Sequence, residues 1–283
     1  MIEVLAPGLL ATVQDRGRPG WAAVGVSRSG AADRGAAALA NRLVGNAPDA
    51  AVIEVTLGGL AVHLRRTAYL VLTGAPCPVT LDGHALAIDA PFHAAADAVV
   101  RLGVPSTGLR TYLAVRGGIG VEPVLGSRAT DLLTGVGPAP LAAGDVLPIG
   151  DDVAGDPPGV DHATVRQHDD QLVLLLPGPR VDWFAGDALA TLTVAPYVVT
   201  AASNRTALRL DGPTLTRSIA RELPSEGLVP GAVQVPPDGK PVVFLVDHPV
   251  TGGYPVVAVV RDADLDLLAQ RRPGDTVRFT RVV

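Results

Sequence analysis

Four short polar stretches interrupt apolar sequence, and each holds residue types suited to binding a carbonyl or an anion. The first is Ser29-Gly30-Ala31-Ala32-Asp33, which opens an alanine-rich stretch running through Asn41 towards Asn46. With Gly30 as the N-cap, Asp33 falls at the third helical position, where a carboxylate meets the helix dipole and unpaired N–H groups. In the functional reading, those N–H groups and Ser29 hold a carboxylate or phosphate instead. The second stretch is Gly126-Ser127-Arg128-Ala129-Thr130-Asp131, a hydroxyl-rich loop whose arginine fork suits a carboxylate. Its structural alternative is that Arg128 and Asp131 pair with each other or with the turn backbone.

The third stretch, Ser225-Glu226-Gly227, precedes a short strand over residues 232–235. Alternation places Gln234 on the face opposite Val233 and Val235, and a strand glutamine ordinarily faces solvent. In the fourth, an apolar strand over residues 242–246 delivers Asp247-His248 and then Thr251-Gly252-Gly253-Tyr254-Pro255. Paired glycines permit positive φ and close backbone approach, leaving N–H groups to face a ligand oxygen. Asp247 or His248 is then placed to act as acid or base. The structural alternative is a hairpin whose Asp247 bonds turn N–H groups.

Other chemistries find no support. There is no G-x-x-x-x-G-K-[ST] phosphate loop, and Lys240, the single lysine, lies in the turn-like Pro-Asp-Gly-Lys-Pro. Any ATP phosphates must therefore be held by arginine, backbone N–H groups or another chain. Residues 25–30 (GVSRSG) do not make the G-x-S-x-G of a serine hydrolase, and no histidine pair has metal-binding spacing, so no metal site is expected. The net charge of −5 provides no general attraction to nucleic acid or anionic lipid. Cys77, the only cysteine, cannot form an internal disulfide, Glu3 stands where a signal peptide would be basic, and no apolar run is long enough to span a bilayer. A cytoplasmic protein is expected.

The elements that must position these residues are mostly strands. Val-, Leu- and Thr-rich runs over residues 60–64, 69–73, 111–115, 171–176, 198–202, 242–246 and 256–260 are punctuated by the chain's 32 Gly and 25 Pro. Helices are expected over 31–44 and over 262–272, the latter with Asp262 as N-cap and Leu265 and Leu268 on one face. The Asp-, Pro- and Gly-rich residues 151–171 have little apolar pattern. The organisation expected is a β-barrel domain over 1–155, a linker over 156–170 and a second β-barrel domain over 171–283. LAAGDVLPIG and RRPGDTVRFTRV, closing the two halves, form a faint repeat.

The ordered motifs resemble one family. They are Thr12-Val13-Gln14-Asp15-Arg16-Gly17, Ser29-Gly30 with Asp33 and Asn41, Tyr112 to Gly118 (YLAVRGG), Gly126-Ser127-Arg128 with Thr130-Asp131, Pro177-Gly178-Pro179, Ser225-Glu226-Gly227, Gly231 to Pro236 (GAVQVP) and Thr251-Gly252-Gly253-Tyr254-Pro255. Together they resemble the C-type subunits of bacterial ATP-dependent 5-oxoprolinases, a family also described as allophanate hydrolase subunit 2 or biotin-dependent carboxyltransferase. The chain departs from the family pattern at Ala32, at Ala129, after Arg205 and at His248-Pro249-Val250, which bears on the substrate.

The resemblance implies a mainly β fold of two packed cyclophilin-like β-barrel domains with a few short helices. It implies ATP-dependent opening of 5-oxo-L-proline, a small lactam, to L-glutamate by a complex with two further kinds of chain, a B-type subunit (allophanate hydrolase subunit 1-like) and an A-type subunit. On the residues themselves, Asp247, Glu226 and Gln234 are the expected catalytic groups, with Asp247 or Glu226 orienting water. Substrate binding falls to Ser29, Asp33, Asn41, Ser127, Arg128, Thr130, Asp131, Ser225, Thr251, Gly252, Gly253 and Tyr254. The alternatives are a carboxyltransferase acting in a urea carboxylase system, with biotin carried by another chain because no Met-Lys pair occurs here, and a non-catalytic regulator that binds a kinase inhibitor.

Overall fold

Val-, Leu- and Thr-rich runs punctuated by glycine and proline form the strands of the structure, a computed structural model that describes residues 1–163 and 172–281. In chain order the strands of the first half are β1 (Ile2–Pro7), β2 (Leu10–Gln14), β3 (Val52–Thr56), β4 (Leu60–Leu64), β5 (Ala68–Gly74), β6 (Val79–Leu81), β7 (His84–Leu86), β8 (Phe92–Ala94), β9 (Val99–Leu102), β10 (Arg110–Val115) and β11 (Val146–Leu147). They make a six-stranded sheet of order β11-β1-β4-β9-β6-β7 and a five-stranded sheet of order β2-β3-β10-β5-β8. Both contribute to one core, with Ile2, Val4, Val62 and Leu64 from the first sheet and Val13, Ile53, Leu72 and Leu113 from the second.

Helix α1 (Arg34–Leu43) buries Ala37, Ala40 and Leu43 and packs with Val52, Val71, Tyr112 and Ala114 of the five-stranded sheet. It is shorter than expected, and its cap differs. Asp33 is the N-cap, with its carboxylate accepting the Ala36 N–H at 2.9 Å, so Gly30 lies outside the helix. Gly30 serves the loop instead. Its φ is +100°, and a Cβ there would lie 2.8 Å from the Gly17 nitrogen.

The second half holds β12 (Val173–Pro177), helix α2 (Ala188–Val194), β13 (Tyr197–Val199), β14 (Ala207–Asp211), β15 (Glu226–Gly227), β16 (Ala232–Gln234), β17 (Val242–Phe244), β18 (Thr251–Gly252), β19 (Val256–Val260), helix α3 (Leu265–Ala269), β20 (Thr276–Val277) and β21 (Phe279–Arg281). Eight strands form a sheet of order β20-β13-β14-β17-β16-β19-β12-β21. Among the described residues, only its β12–β21 pair is parallel. Strands β20 and β21 stand at opposite ends of this order yet are separated by Arg278 alone, so the sheet curls into a nearly closed barrel. Trp183, Tyr197, Leu210, Val233, Leu245 and Phe279 are among the side chains of its core. The fold is mainly β with a few short helices.

Two expectations about helices need correction. Residues 262–264 form a 3-10 turn with Arg261 in the cap position and no side-chain cap bond, although Leu265 and Leu268 are buried on one face as expected. Helix α2 was not anticipated, yet its Asp187 N-cap accepts the Ala190 N–H at 2.8 Å and was legible as a start signal.

The chain divides into two compact units. The first takes Met1–Arg18, Ser29–Asp131 and, of the described residues, 135–163; the second takes Pro19–Arg28, Leu132–Thr134 and the described residues from 172 onwards. The proposed 156–170 linker lies partly outside the described residues. In its described part the Ala163 N–H donates to the Asp89 carbonyl at 2.9 Å. Among the described residues no helix is long and apolar enough to cross a membrane.

Removing the α1 cap should be measurable. Asp33→Ala is expected to lower stability by about 1 kcal/mol, seen in denaturant titration as a lower midpoint at unchanged slope.

Candidate functional site

Register across the five-stranded sheet aligns four polar residues. Thr12 pairs with Glu54, Glu54 with Tyr112, and Tyr112 with Thr73. All four are buried, and Glu54 is only 1% exposed. A carboxylate there requires donors, because desolvation without them costs several kcal/mol. Glu54 Oε2 accepts the Ala32 N–H at 2.9 Å and the Tyr112 hydroxyl at 2.9 Å, while Arg110 Nε lies 3.4 Å from Oε1. The Tyr112 oxygen in turn accepts the Asp33 N–H at 2.7 Å. Burial, followed by the charges of Glu54 and Asp33, holds the Tyr112 phenol well above its ordinary pKa.

This arrangement corrects the anion-binding reading of the helix mouth. The N–H groups of Ala32, Asp33 and Ala36 are taken by Glu54, Tyr112 and Asp33 of the chain itself. Ser29 is buried at φ +53°, and its hydroxyl donates to the Thr130 carbonyl at 3.1 Å. Asn41 sits near the other end of α1, donating to the Ala50 carbonyl at 2.8 Å and accepting from the Asn46 amide at 3.1 Å. These are scaffold bonds.

Asp15 ties the first two polar stretches together. Its Oδ1 accepts the Ser127 hydroxyl at 2.6 Å and the Gly17 N–H at 2.7 Å; its Oδ2 accepts the Arg128 N–H at 2.6 Å; its carbonyl accepts the Ala31 N–H at 2.9 Å. The Gln14 amide donates to the Thr130 carbonyl at 3.0 Å. The Arg128 guanidinium donates from Nε to the Val121 carbonyl at 2.7 Å and from Nη1 to Asp152 at 3.2 Å. The fork expected to meet a substrate carboxylate thus meets a carboxylate of its own unit, and that carboxylate is Asp152, not Asp131. Asp131 is buried, with its N–H donating to the Val136 carbonyl at 2.9 Å.

In the second unit the third and fourth stretches meet. Strands β15 and β18 pair Glu226 with Gly252 and Gly227 with Thr251, leaving Ser225 exposed just before them. Gln234 is 4% exposed, contrary to the solvent-facing expectation, and its amide donates to the Tyr254 carbonyl at 2.8 Å. Neither Gly252 nor Gly253 has positive φ, so conformational freedom does not explain them. Space explains Gly252, since a Cβ would lie 2.7 Å from Gln234 Nε2 and 2.8 Å from a Leu228 methyl.

Three arginines escaped the sequence reading. Arg180 grips Glu226 through two bonds, Nε to Oε2 at 3.1 Å and Nη2 to Oε1, and holds the Glu226 carboxyl below the usual range by hydrogen bonding and by charge. Arg217 lies over the Tyr254 ring at 5.5 Å and donates to the Val235 carbonyl at 2.6 Å. Arg205, 2% exposed, forks onto the wholly buried Asp247 at 2.9 and 3.1 Å, and the Leu132 N–H donates to the same carboxylate at 3.2 Å. Asp247 is thus held by side-chain and backbone donors alike, which suits positioning better than proton transfer. His248 is buried, its Nδ1 2.8 Å from the Pro249 carbonyl.

Residues 24–281 match the family model described as carboxyltransferase domain, subdomain A and B. The chain belongs to this family. This carboxyltransferase-domain protein is 38% identical over 286 residues to the 5-oxoprolinase C subunit of Escherichia coli (strain K12), covering 99% of this chain and 91% of that one. The crystal structure of TTHA0988 superposes with a TM-score of 0.87 at 36% identity, covering 99% of this chain and 55% of that chain. The crystal structure of the K. lactis urea amidolyase gives 0.92 at 29% identity, covering 100% of this chain and 19% of that chain. The carboxyltransferase-domain chain therefore spans about half of the first solved structure and about a fifth of the second.

Asp15 should matter to stability as much as any core residue of this carboxyltransferase-domain protein. Asp15→Ala strands three donors and is expected to cost about 3 kcal/mol, measurable by reversible denaturation, with Asp15→Asn costing less because it keeps an acceptor.

Proposed function

We propose that the chain is one subunit of an ATP-dependent amide or lactam hydrolase complex, acting with A-type and B-type partners to open 5-oxo-L-proline to L-glutamate. The observation that carries this reading is the end-to-end match with a 5-oxoprolinase C subunit, which covers 91% of that relative. The substrate site is the β15–β18 cluster of the second unit. Glu226, which is paired with Arg180 in this structure, orients the attacking water; the Gly252 and Gly253 backbone faces the carbonyl oxygen as it gains charge; Gln234 fixes the Tyr254 backbone behind them. Asp247, locked by Arg205, positions the strand end that leads into this loop.

No lysine-based phosphate cradle is found among the described residues. Lys240, the single lysine, is ion-paired to Asp211 at 2.7 Å, and no phosphate loop occurs. Arginine, backbone N–H groups or a partner subunit hold the nucleotide's phosphates, and this chain's part is to hold the lactam and the water. A second reading is favoured by the family description and by the TM-score of 0.92 to a urea amidolyase: carboxyl transfer from a biotin carried on another chain, with the same backbone donors steadying the ureido oxygen.

Reconstitution with the partner proteins separates the two. ATP-dependent glutamate release from 5-oxoproline without biotinylated carrier is the expected result, whereas carboxylation of urea only when the carrier is present supports the second reading. Glu226→Gln in the reconstituted complex should lower kcat by about a hundredfold, and an unchanged kcat would remove Glu226 from the mechanism.

A further inference from the structure

The Arg180–Glu226 pair has the geometry of a carboxylate bound to its receptor. Guanidinium and carboxylate meet fork to fork. Both side chains remain partly open, 35% and 28% exposed, unlike the sealed Arg205–Asp247 pair at 2% and 0%. Glu226 reaches Arg180 from β15, a strand of two residues held in its sheet only by β18, so moving it disrupts little of the barrel. Arg180 is more firmly seated. Its N–H donates to the Val256 carbonyl of β19 at 3.0 Å, and Trp183, three residues on, is buried in the core. A fixed cation thus faces a carboxylate on a lightly held strand. Tyr254, half-exposed, follows Gly252, which pairs with Glu226, and precedes Val256, which anchors Arg180, and Arg217 covers its ring.

We infer that Arg180 is the receptor for a carboxylate carried by the ligand and that Glu226 occupies it when no ligand is present. A ligand carboxylate takes the two guanidinium bonds, and Glu226 leaves its ion pair and turns to the water it orients. The exchange leaves the charge on Arg180 balanced, with no unpaired cation at any stage. The ligand class is a small amide or lactam bearing a carboxylate, and uncharged amides such as urea lack the group that displaces Glu226. This rests on the hydrolase reading given above for the same loop and adds what selects the substrate.

The exchange can be tested on the whole chain without its partners. The side-chain carboxyl carbon of Glu226 is followed by 13C NMR while acetate, 5-oxoproline or the neutral lactam 2-pyrrolidinone is added. The Glu226 signal should move with acetate and with 5-oxoproline, and not with 2-pyrrolidinone. Arg180→Leu should abolish the acetate response and weaken 5-oxoproline binding by about tenfold or more. Arg180→Lys keeps the charge but not the fork and should recover part of it. Glu226→Gln, which removes the internal competitor, should tighten 5-oxoproline binding. A Glu226 signal indifferent to every carboxylate, or weaker 5-oxoproline binding in Glu226→Gln, overturns the inference even if the reconstituted complex releases glutamate. Exchange with acetate in a complex that releases no glutamate upholds the receptor and overturns the hydrolase reading instead.

Discussion

Glu54 is a carboxylate placed among apolar strands, and the first unit is arranged around the need to satisfy it. Its donors come from Ala32 on the loop before α1, from Tyr112 on β10, and through its ion pair from Arg110. Each donor brings its own element into place. Because Ala32 must reach Glu54, the 29–33 loop is pulled down onto the sheet, where Ser29 takes a left-handed φ and Gly30 lies against the backbone of residues 15–17. Asp15 completes the arrangement from the other side by gathering the 127–128 loop and the Ala31 N–H. Buried polar groups of this kind contribute specificity as much as stability, since a shift of one residue in strand register would leave several of them unpaired.

The second unit meets a different constraint. Its barrel nearly closes because β20 and β21 are covalently adjacent but lie at opposite ends of the sheet, so the loops at its rim can carry polar groups without disturbing the core. Two arginine–carboxylate pairs show the range available. Arg205–Asp247 is sealed and belongs to the framework, whereas Arg180–Glu226 remains partly open beside the glycine loop. The same chemical pairing is sealed in one place and partly open in the other, and burial sets how much is lost when such a pair opens.

The polar stretches of the sequence are tied into the structure by partners other than those their local pattern suggests. Arg128, whose fork suits either a substrate or a neighbouring carboxylate, is turned towards Asp152; Gln234, on a strand face that ordinarily meets solvent, is buried beneath Gly252; the helix mouth, open to a cap or an anion, is filled by Glu54. Glu54 itself was overlooked inside the run Val-Ile-Glu-Val-Thr, where a lone charge among strand residues was the available signal. Arg180 directly follows the Pro177-Gly178-Pro179 motif, and its partner Glu226 lies 46 residues further along the chain.

What the sequence determined by itself was local. Glycine and proline punctuation with β-branched runs specified a mainly β chain, the alanine-rich run specified α1 though not its Asp33 cap, and Leu265 and Leu268 specified the buried face of α3. Those features depend on neighbours a few residues away. The tertiary structure decided the pairings: Asp15 with Arg128 across 113 positions, Arg180 with Glu226 across 46, Arg205 with Asp247 across 42 and Glu54 with Ala32 across 22. A hydrogen bond needs its donor within about 3 Å, and over such separations that closeness is set by strand register and barrel closure, which no local pattern of residues contains.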